Sequence, residues 1–424
     1  MPSLIATPNP EIEQAEQLFS CLRANTTDAP GITRDTYGDG ENFAHDLMAS
    51  TARNLGLEVT TDAAGNLYMT LLGQDPLAPV IMMGSHMDSV PHGGNYDGAA
   101  GVVAGLMVLA RMTRLGRIPK RNITVMGCRA EELCWFPAPY IGSRAAFGLI
   151  SPALLDELKR VDTNRSLSDH MATAGFHPER LKQGEAHLKP EQIHCYLELH
   201  IEQGPALVDA GVPVGIVTGI RGNLRYPHCQ IQGRYAHAGA VPRHLRHDAV
   251  LGGAEFVVAL EQYWLEQESN GVDFVATVGR FSTDPEHNTM TKVPGEVKFT
   301  MDIRSEDNDV LLATDAYLRQ VAEQISDRRG ITIDLNAFTN ALPGRMDPHL
   351  RHTLNTLAAQ EGIPILEMAS GAGHDAAVFA TQGIPTAMVF VRNQHGSHNA
   401  NEAMEMADFA QGWQLLTALV DELS

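Results

Sequence analysis

With 424 residues, 44% of them hydrophobic, the chain is too long for one small core, and domains of roughly 100 to 200 residues suggest two, one inserted in the other. Fifty-one acidic against 31 basic residues leave a formal net charge of -20, a field that repels nucleic acid and anionic membrane surfaces. No apolar run approaches the roughly 18 residues that span a bilayer, and MPSLIATPNPEIEQ lacks the basic and apolar stretches of a secretory signal, so the expected location is the cytoplasm.

The first elements read as helices near Glu11 to Arg23 and Gly40 to Leu55, a strand pair in LEVTTDAAGNLYMTLLG, and an apolar strand over Pro79 to Met83. After GSHMDSVPHGGNYDG, the run DGAAGVVAGLMVLARMTRLG predicts a helix whose Gly101 and Gly105 permit close packing on a sheet. NITVMGC supplies the next strand, and strand, helix, strand implies a parallel sheet with right-handed crossovers. A polar helical and loop segment over 151–192 leads to the strand CYLELH. From about Val214 the strand-like runs GIVTGI, HCQIQGRYAHAG, DFVATVGRFS and EVKFTMDIRS surround a helical stretch from Asp248 to Glu266. In VKFTMDIR, Val297, Phe299, Met301 and Ile303 share one face, the signature of a half-buried antiparallel strand. Helix and strand units resume from Leu350, including IPTAMVFVRN. The expected architecture is a doubly wound, mostly parallel α/β domain (1–212 and 338–424) carrying an inserted α+β domain (213–337). The five cysteines, Cys21, Cys128, Cys134, Cys195 and Cys229, are odd in number and unpaired by spacing, which predicts reduced thiols.

Open α/β sheets bind ligands beyond the C-terminal ends of their strands, and polar residues with metal-binding chemistry cluster at those places. His86 and Asp88 follow one strand, Asp97 opens the next helix, Glu131 and Glu132 follow ITVMGC, His200 ends CYLEL, and His398 lies beyond TAMVFVRN. Taken singly, each has an ordinary explanation: a histidine after a strand is usually a loop residue, Asp97 could be an N-cap, and an acidic pair is most often a solvated face. Together they suit two divalent ions. Imidazole and carboxylate ligands favour zinc, manganese, cobalt or nickel over calcium or magnesium, and a pair of ions needs a bridging carboxylate. Asp97 is the expected bridge, with His86 and His200 on one ion and Glu132 and His398 on the other. Asp88 is placed to hold the His86 ring by its second nitrogen. Glu131, beside a ligand but not needed as one, is placed to move a proton between water and a leaving nitrogen. His92 receives no role.

The segments GSHMDSVPHGGNYDG, EE, ELHIEQG and GSHNANE resemble, in order, the dinuclear-metal M20 peptidase and amidohydrolase family. ELHIEQGP, RYAHAGAVP, SGAGHDAAVFA and SHNANE are more narrowly similar to its hydantoinase/carbamoylase branch, which includes N-carbamoyl-L-amino acid hydrolases, allantoate amidohydrolases and β-ureidopropionases. The resemblance implies a metallohydrolase domain with an inserted lid that pairs two subunits as a homodimer. It implies that His237 in YAHAG reaches the partner's site and stabilises the oxyanion, and that Arg304 in DIRS clasps the substrate carboxylate with its guanidinium fork. Gln203 and the loop from Gly371 to His374 are further implied substrate contacts. Lid closure is expected to expel water and complete the site.

Departures from the family pattern bear on substrate. EELCWFPAPYIGS replaces the commoner EEGSRF, so Leu133, Cys134, Trp135 and Phe136 predict a more apolar lining. TKVPG puts Thr291 where a substrate-binding asparagine is common, with Asn288 the other candidate for that contact, and Arg243 replaces a usual methionine. The resulting expectation is metal-dependent hydrolysis of a linear C–N bond in a small N-substituted amino acid. N-carbamoyl-L-amino acids lead, N-acyl or aryl-acyl amino acids follow, and allantoate trails. Two rivals differ in class: a nicotinamide-dependent dehydrogenase, from the GxGxxA-like turn in SGAGHDAA, and a non-catalytic binding protein on the same fold.

Overall fold

The computed structural model describes residues 9–424, and the chain folds as two compact units, one running to Thr218 and resuming over 345–424, the other comprising 219–344. The first is built on a nine-stranded sheet. Its middle is four parallel strands in the spatial order Thr386–Val391, Ile193–Ile201, Val80–His86 and Ile123–Cys128. These are apolar runs buried on both faces, as parallel strands covered by helices must be. Antiparallel strands flank them, Leu67–Leu71 and Glu58–Thr61 on one side and Val214–Ile220 on the other, where Gly344–Arg345 is the next strand out.

The helix Ala99–Arg114 lies against three of the parallel strands, and every residue from Ala99 to Ala110 is buried. Its approach depends on Gly101, where a Cβ would stand 2.2 Å from the Leu199 carbonyl oxygen and 2.7 Å from Ser85 Cβ. The helices Pro10–Thr26 and Met406–Leu423 cover it in turn, through Leu22, Phe19, Phe409 and Leu416. Residues 135–181 enclose a smaller core containing Trp135, Phe136, Leu155, Leu167 and Met171.

The second unit is an antiparallel sheet of five strands, with helices Ala249–Ser269 and Asn308–Arg329 packed on it. The strand Glu296–Ser305 alternates as its sequence predicts, with Val297, Phe299, Met301 and Ile303 buried in that unit's core. The helix Asn308–Arg329 was not anticipated from sequence. Its signals are plain in retrospect: an Asp307 cap, buried Leu311, Leu318, Val321 and Ile325 at helical spacing, and Gly330 at φ 65°.

Three expectations need correction. The strand expected over Pro79 to Met83 continues to His86. Val214–Ile220, expected in the insertion, pairs through Val391↔Val214 and Val389↔Ile216 with a central strand of the large sheet. The change of character at Val214 is thus a switch from parallel to antiparallel pairing within one sheet. Trp135 and Phe136, expected to line a pocket, are buried: the Trp135 Nε1 donates to the Ser89 carbonyl at 2.8 Å and the Arg160 guanidinium covers its ring, while Phe136 lies edge-on to His170. Of that quartet only Leu133 is exposed, with Cys134 half-buried. Among the described residues no helix is long and apolar enough to cross a membrane.

Candidate metal centre and active site

All four parallel strands end at the same edge of the sheet, and each delivers an acid or a histidine there. His86 is the last residue of its strand; Glu131 and Glu132 lie just past Cys128; His200 lies near the end of Ile193–Ile201; His398 lies beyond Val391. Asp97 stands just before the buried helix. Gly98, at φ 65°, has no room for a side chain because its Cβ would lie 2.5 Å from the His86 ring.

Asp97 is the centre of the arrangement. Its Oδ1 is 3.3 Å from His200 Nε2 and 3.8 Å from His86 Nε2, while its Oδ2 is 3.3 Å from His398 Nε2. The His398 ring also lies 3.5 Å from Glu132 Oε1, a buried oxygen with no hydrogen-bond partner. Two compact donor sets share Asp97, His86 with Asp97 and His200, and Asp97 with Glu132 and His398, while a third groups Glu198 with His200 and His374. The chemistry fits a divalent ion in each of the two that share Asp97: borderline nitrogen and carboxylate donors, all buried except His398, whose ring is about half exposed. His86 Nδ1 faces the Asp88 carbonyl at 3.0 Å and its carboxylate at 3.4 Å, and His200 Nδ1 faces the Ile201 carbonyl at 2.8 Å, which leaves both Nε2 atoms directed inward. Asp88 also accepts from Thr36 Oγ1 and from the amides of Glu131 and Glu132, so one carboxylate ties a histidine to the acidic pair.

The electrostatics of the cluster favour a cation. Burial raises Glu132 to about 8, helped by the Asp97 charge. Burial likewise pushes Glu131 well above the carboxylate range, with Glu132, Asp375 and Asp88 adding to the shift against the pull of His86. Burial alone would lower His86, yet the Asp88 bond and the surrounding carboxylates hold it well above its ordinary value. The Asp97 bond raises His398 to about 9, whereas burial lowers His200 to about 4. Carboxylates crowded in a buried pocket compete for protons, and a cation relieves that competition.

The remaining expected contacts are spread over both units. Gln203, at φ 64°, donates from Nε2 to both Asp97 oxygens at 3.2 and 3.0 Å, with its own Oε1 buried and unpartnered. His374 is buried against the His200 ring and bonded to Ser370 Oγ, and Gly371 lies in the preceding loop. His237, Asn288 and Arg304 belong to the second unit. His237 is exposed, and its Nδ1 accepts from the amides of Gly239 and Ala240 at 3.1 Å each, which puts the ring hydrogen on Nε2. Arg304 is oriented by Asp302 through Nε and Nη2. The Asn288 side-chain nitrogen and oxygen are buried without partners. His92 is an exposed loop residue whose Nδ1 faces the Asp28 carbonyl.

Sequence reasoning missed three residues that hold Asp97. Buried Arg34 donates to the carbonyls of Met87, Asn95 and Asp97, spanning the loop between His86 and the helix. Glu402 accepts from the amides of Tyr96 and Asp97, and Ser397 donates to both Asp97 and Glu402. Ser397 and Glu402 lie in SHNANE beside His398, where proximity to a candidate ligand was the available signal; Arg34 had none.

Comparison with known proteins places the chain in a family. Residues 82–422 match the peptidase family M20/M25/M40. An N-carbamoyl-L-amino acid amidohydrolase of Geobacillus stearothermophilus is 36% identical over 93% of this chain and 94% of its own. The allantoate amidohydrolase of Escherichia coli is 34% identical with the same coverage. The crystal structure of a hydantoinase/carbamoylase family amidase from Burkholderia multivorans superposes with a TM-score of 0.86 at 30% identity, covering 97% of each chain. The chain therefore belongs to the metal-dependent peptidase family M20/M25/M40 and, within it, to the hydantoinase/carbamoylase amidohydrolases, enzymes of linear carbon–nitrogen bonds.

Proposed function

We propose that the protein hydrolyses the ureido bond of N-carbamoyl-L-amino acids, using two divalent ions held by His86, Asp97, His200, Glu132 and His398. The observation that carries this reading is Asp97, whose two oxygens face different donor sets, the arrangement a bridging carboxylate requires. Ions bound there supply Lewis acidity for the carbonyl and lower the pKa of water. The chain's own residues do the rest. Glu131 takes the proton of the attacking water as its oxygen adds to the carbonyl carbon. It returns that proton to the amino-acid nitrogen as the C–N bond breaks, releasing amino acid and carbamate, which decomposes to carbon dioxide and ammonia. Burial pushes the Glu131 carboxyl above its ordinary range, the direction that makes its carboxylate a stronger base toward water.

His237 donates from Nε2 to the developing oxyanion of the partner subunit's site in a homodimer formed through the second unit. Arg304 binds the substrate carboxylate, and Asn288, Gly371 and His374 complete the contacts. Gln203 is engaged with Asp97 and is better read as orienting that carboxylate than as touching substrate. The carbamoyl substrate is favoured by the Geobacillus relative; the allantoate enzyme at 34% makes allantoate the necessary comparison. The test is a panel of N-carbamoyl, N-acetyl and aryl-acyl amino acids and allantoate, each assayed with zinc, manganese, cobalt and nickel. Highest kcat/KM on an N-carbamoyl-L-amino acid, lost on chelation and restored by metal, is expected. Chelator-insensitive turnover, or preference for allantoate, would sink the reading.

A further inference from the structure

Glu131 and Glu132 stand on a turn whose backbone is held in an unusual way. Four consecutive amides each donate to a side-chain oxygen: Arg129 to Asn66 at 3.0 Å, Ala130 to Glu41 Oε1 at 3.0 Å, and Glu131 and Glu132 to the two oxygens of Asp88 at 3.1 and 3.2 Å. The carbonyls of Arg129, Ala130 and Glu131 accept from the amides of Gly142, Ile141 and Tyr140. Ala130 sits at φ 57°, a left-handed conformation that alanine rarely adopts and keeps only where its surroundings impose it.

What imposes it comes from far away in the sequence. Glu41, fully buried, reaches the Ala130 amide with one oxygen and with the other accepts from the Tyr37 amide at 2.7 Å and Arg129 Nη1 at 2.8 Å. Arg129 is itself fixed, by the Gly65 carbonyl, by Asn42 Oδ1 and by the Phe176 ring 4.5 Å below its guanidinium. A buried ion pair of this kind is weak evidence for stability, because desolvation offsets much of the attraction. Its geometry has a better use: the Glu41 carboxylate bonds to both residues immediately before Glu131, the Arg129 guanidinium and the Ala130 amide.

We infer that Glu41, locked by Arg129, is a positioning residue for the reaction, setting the direction of Glu131 through the strained Ala130 turn while Asp88 fixes the adjacent ligand. This rests on Glu131 being the proton carrier. Glu41→Gln presents one oxygen where the carboxylate presents two, so it cannot satisfy the Ala130 amide and the Tyr37 and Arg129 donors together. The expected result is a kcat lower by about 10- to 100-fold, with KM within about twofold and metal content at the wild-type level. Wild-type kcat, or a fall in kcat matched by lost metal, overturns the inference.

Glu41→Gln combined with Ala130→Gly keeps the test informative if the single variant folds poorly, since glycine takes φ 57° without strain. The double variant should fold, load metal and remain slow. Recovery of kcat would mean that Glu41 only offsets backbone strain, which also overturns the inference. Glu131→Gln, measured alongside, separates the two levels. Full activity there removes the proton carrier and this inference with it; its loss beside a fully active Glu41→Gln removes the positioning role alone.

Discussion

At the centre of the site, the imidazoles are held in different protonation states by their surroundings. His200, lowered to about 4 by burial, presents a neutral Nε2 at pH 7, while His398, raised to about 9 by Asp97, carries a proton that a metal must displace, and the carboxylates around His86 push it in the same upward direction. Metal uptake at pH 7 should therefore release at least one proton. Calorimetry in buffers of different ionisation enthalpy will show it as a buffer-dependent heat; a heat independent of buffer would contradict these assignments. The same shift has a sign for stability. A raised His398 stabilises the metal-free fold below its ordinary value near 6.5, and that contribution fades as pH climbs through about 9. Metal-free protein should thus lose part of its stability over that window. Apart from Asp97, the candidate ligands were legible because each stands at or beyond the end of an apolar strand. Arg34 and Glu41 were not, because the groups they hold near the site lie far off in the chain and nothing in spacing pairs Glu41 with residue 130.

At the level of elements, the helix Ala99–Arg114 and the strand ending at His86 are set close by small residues. Gly98 is a tight point of that contact, since the helix must begin in a turn of positive φ directly against the His86 ring. Gly98→Ala adds about 1–3 kcal/mol of backbone strain, and more from a methyl group that the ring cannot clear. Both the melting temperature and the metal held through His86 should fall; unchanged metal content and Tm would show that the turn is more forgiving than its geometry. Reading such elements from sequence succeeded where periodicity was strong, as in the alternation from Val297 to Ile303. It failed for Asn308–Arg329, where polar and charged residues dilute an apolar stripe. It failed also at Trp135 and Phe136, because apolar residues next to a site look the same in sequence whether they line it or support it from beneath.

For the whole molecule, the proposed contribution of His237 to the partner's site makes catalysis a property of the pair. Mixing His86→Ala with His237→Ala chains places one intact site in each mixed dimer. Random exchange should restore about a quarter of wild-type activity from two inactive parents, since half the dimers are mixed and each has one working site of two. No recovery in verified mixed dimers would confine the reaction to single chains. The boundary of the insertion was harder to see in sequence than its existence. Val214–Ile220 has the composition of a buried strand, and only its partner reveals which sheet it serves.

That boundary carries a further consequence. The chain leaves the large sheet along Val214–Ile220 and returns on Gly344–Arg345, neighbouring strands of the same sheet. Every candidate metal donor lies outside the interruption, and His237, Asn288 and Arg304 lie within it. The proposed ion-holding residues thus fall outside the insertion together with Gly371 and His374, while the proposed contacts His237, Asn288 and Arg304 fall within it. Two crossovers, one in each of the adjoining strands, would exchange the proposed contacts His237, Asn288 and Arg304 while leaving the proposed ion-holding residues untouched, so diversification need not begin by rebuilding the proposed metal centre.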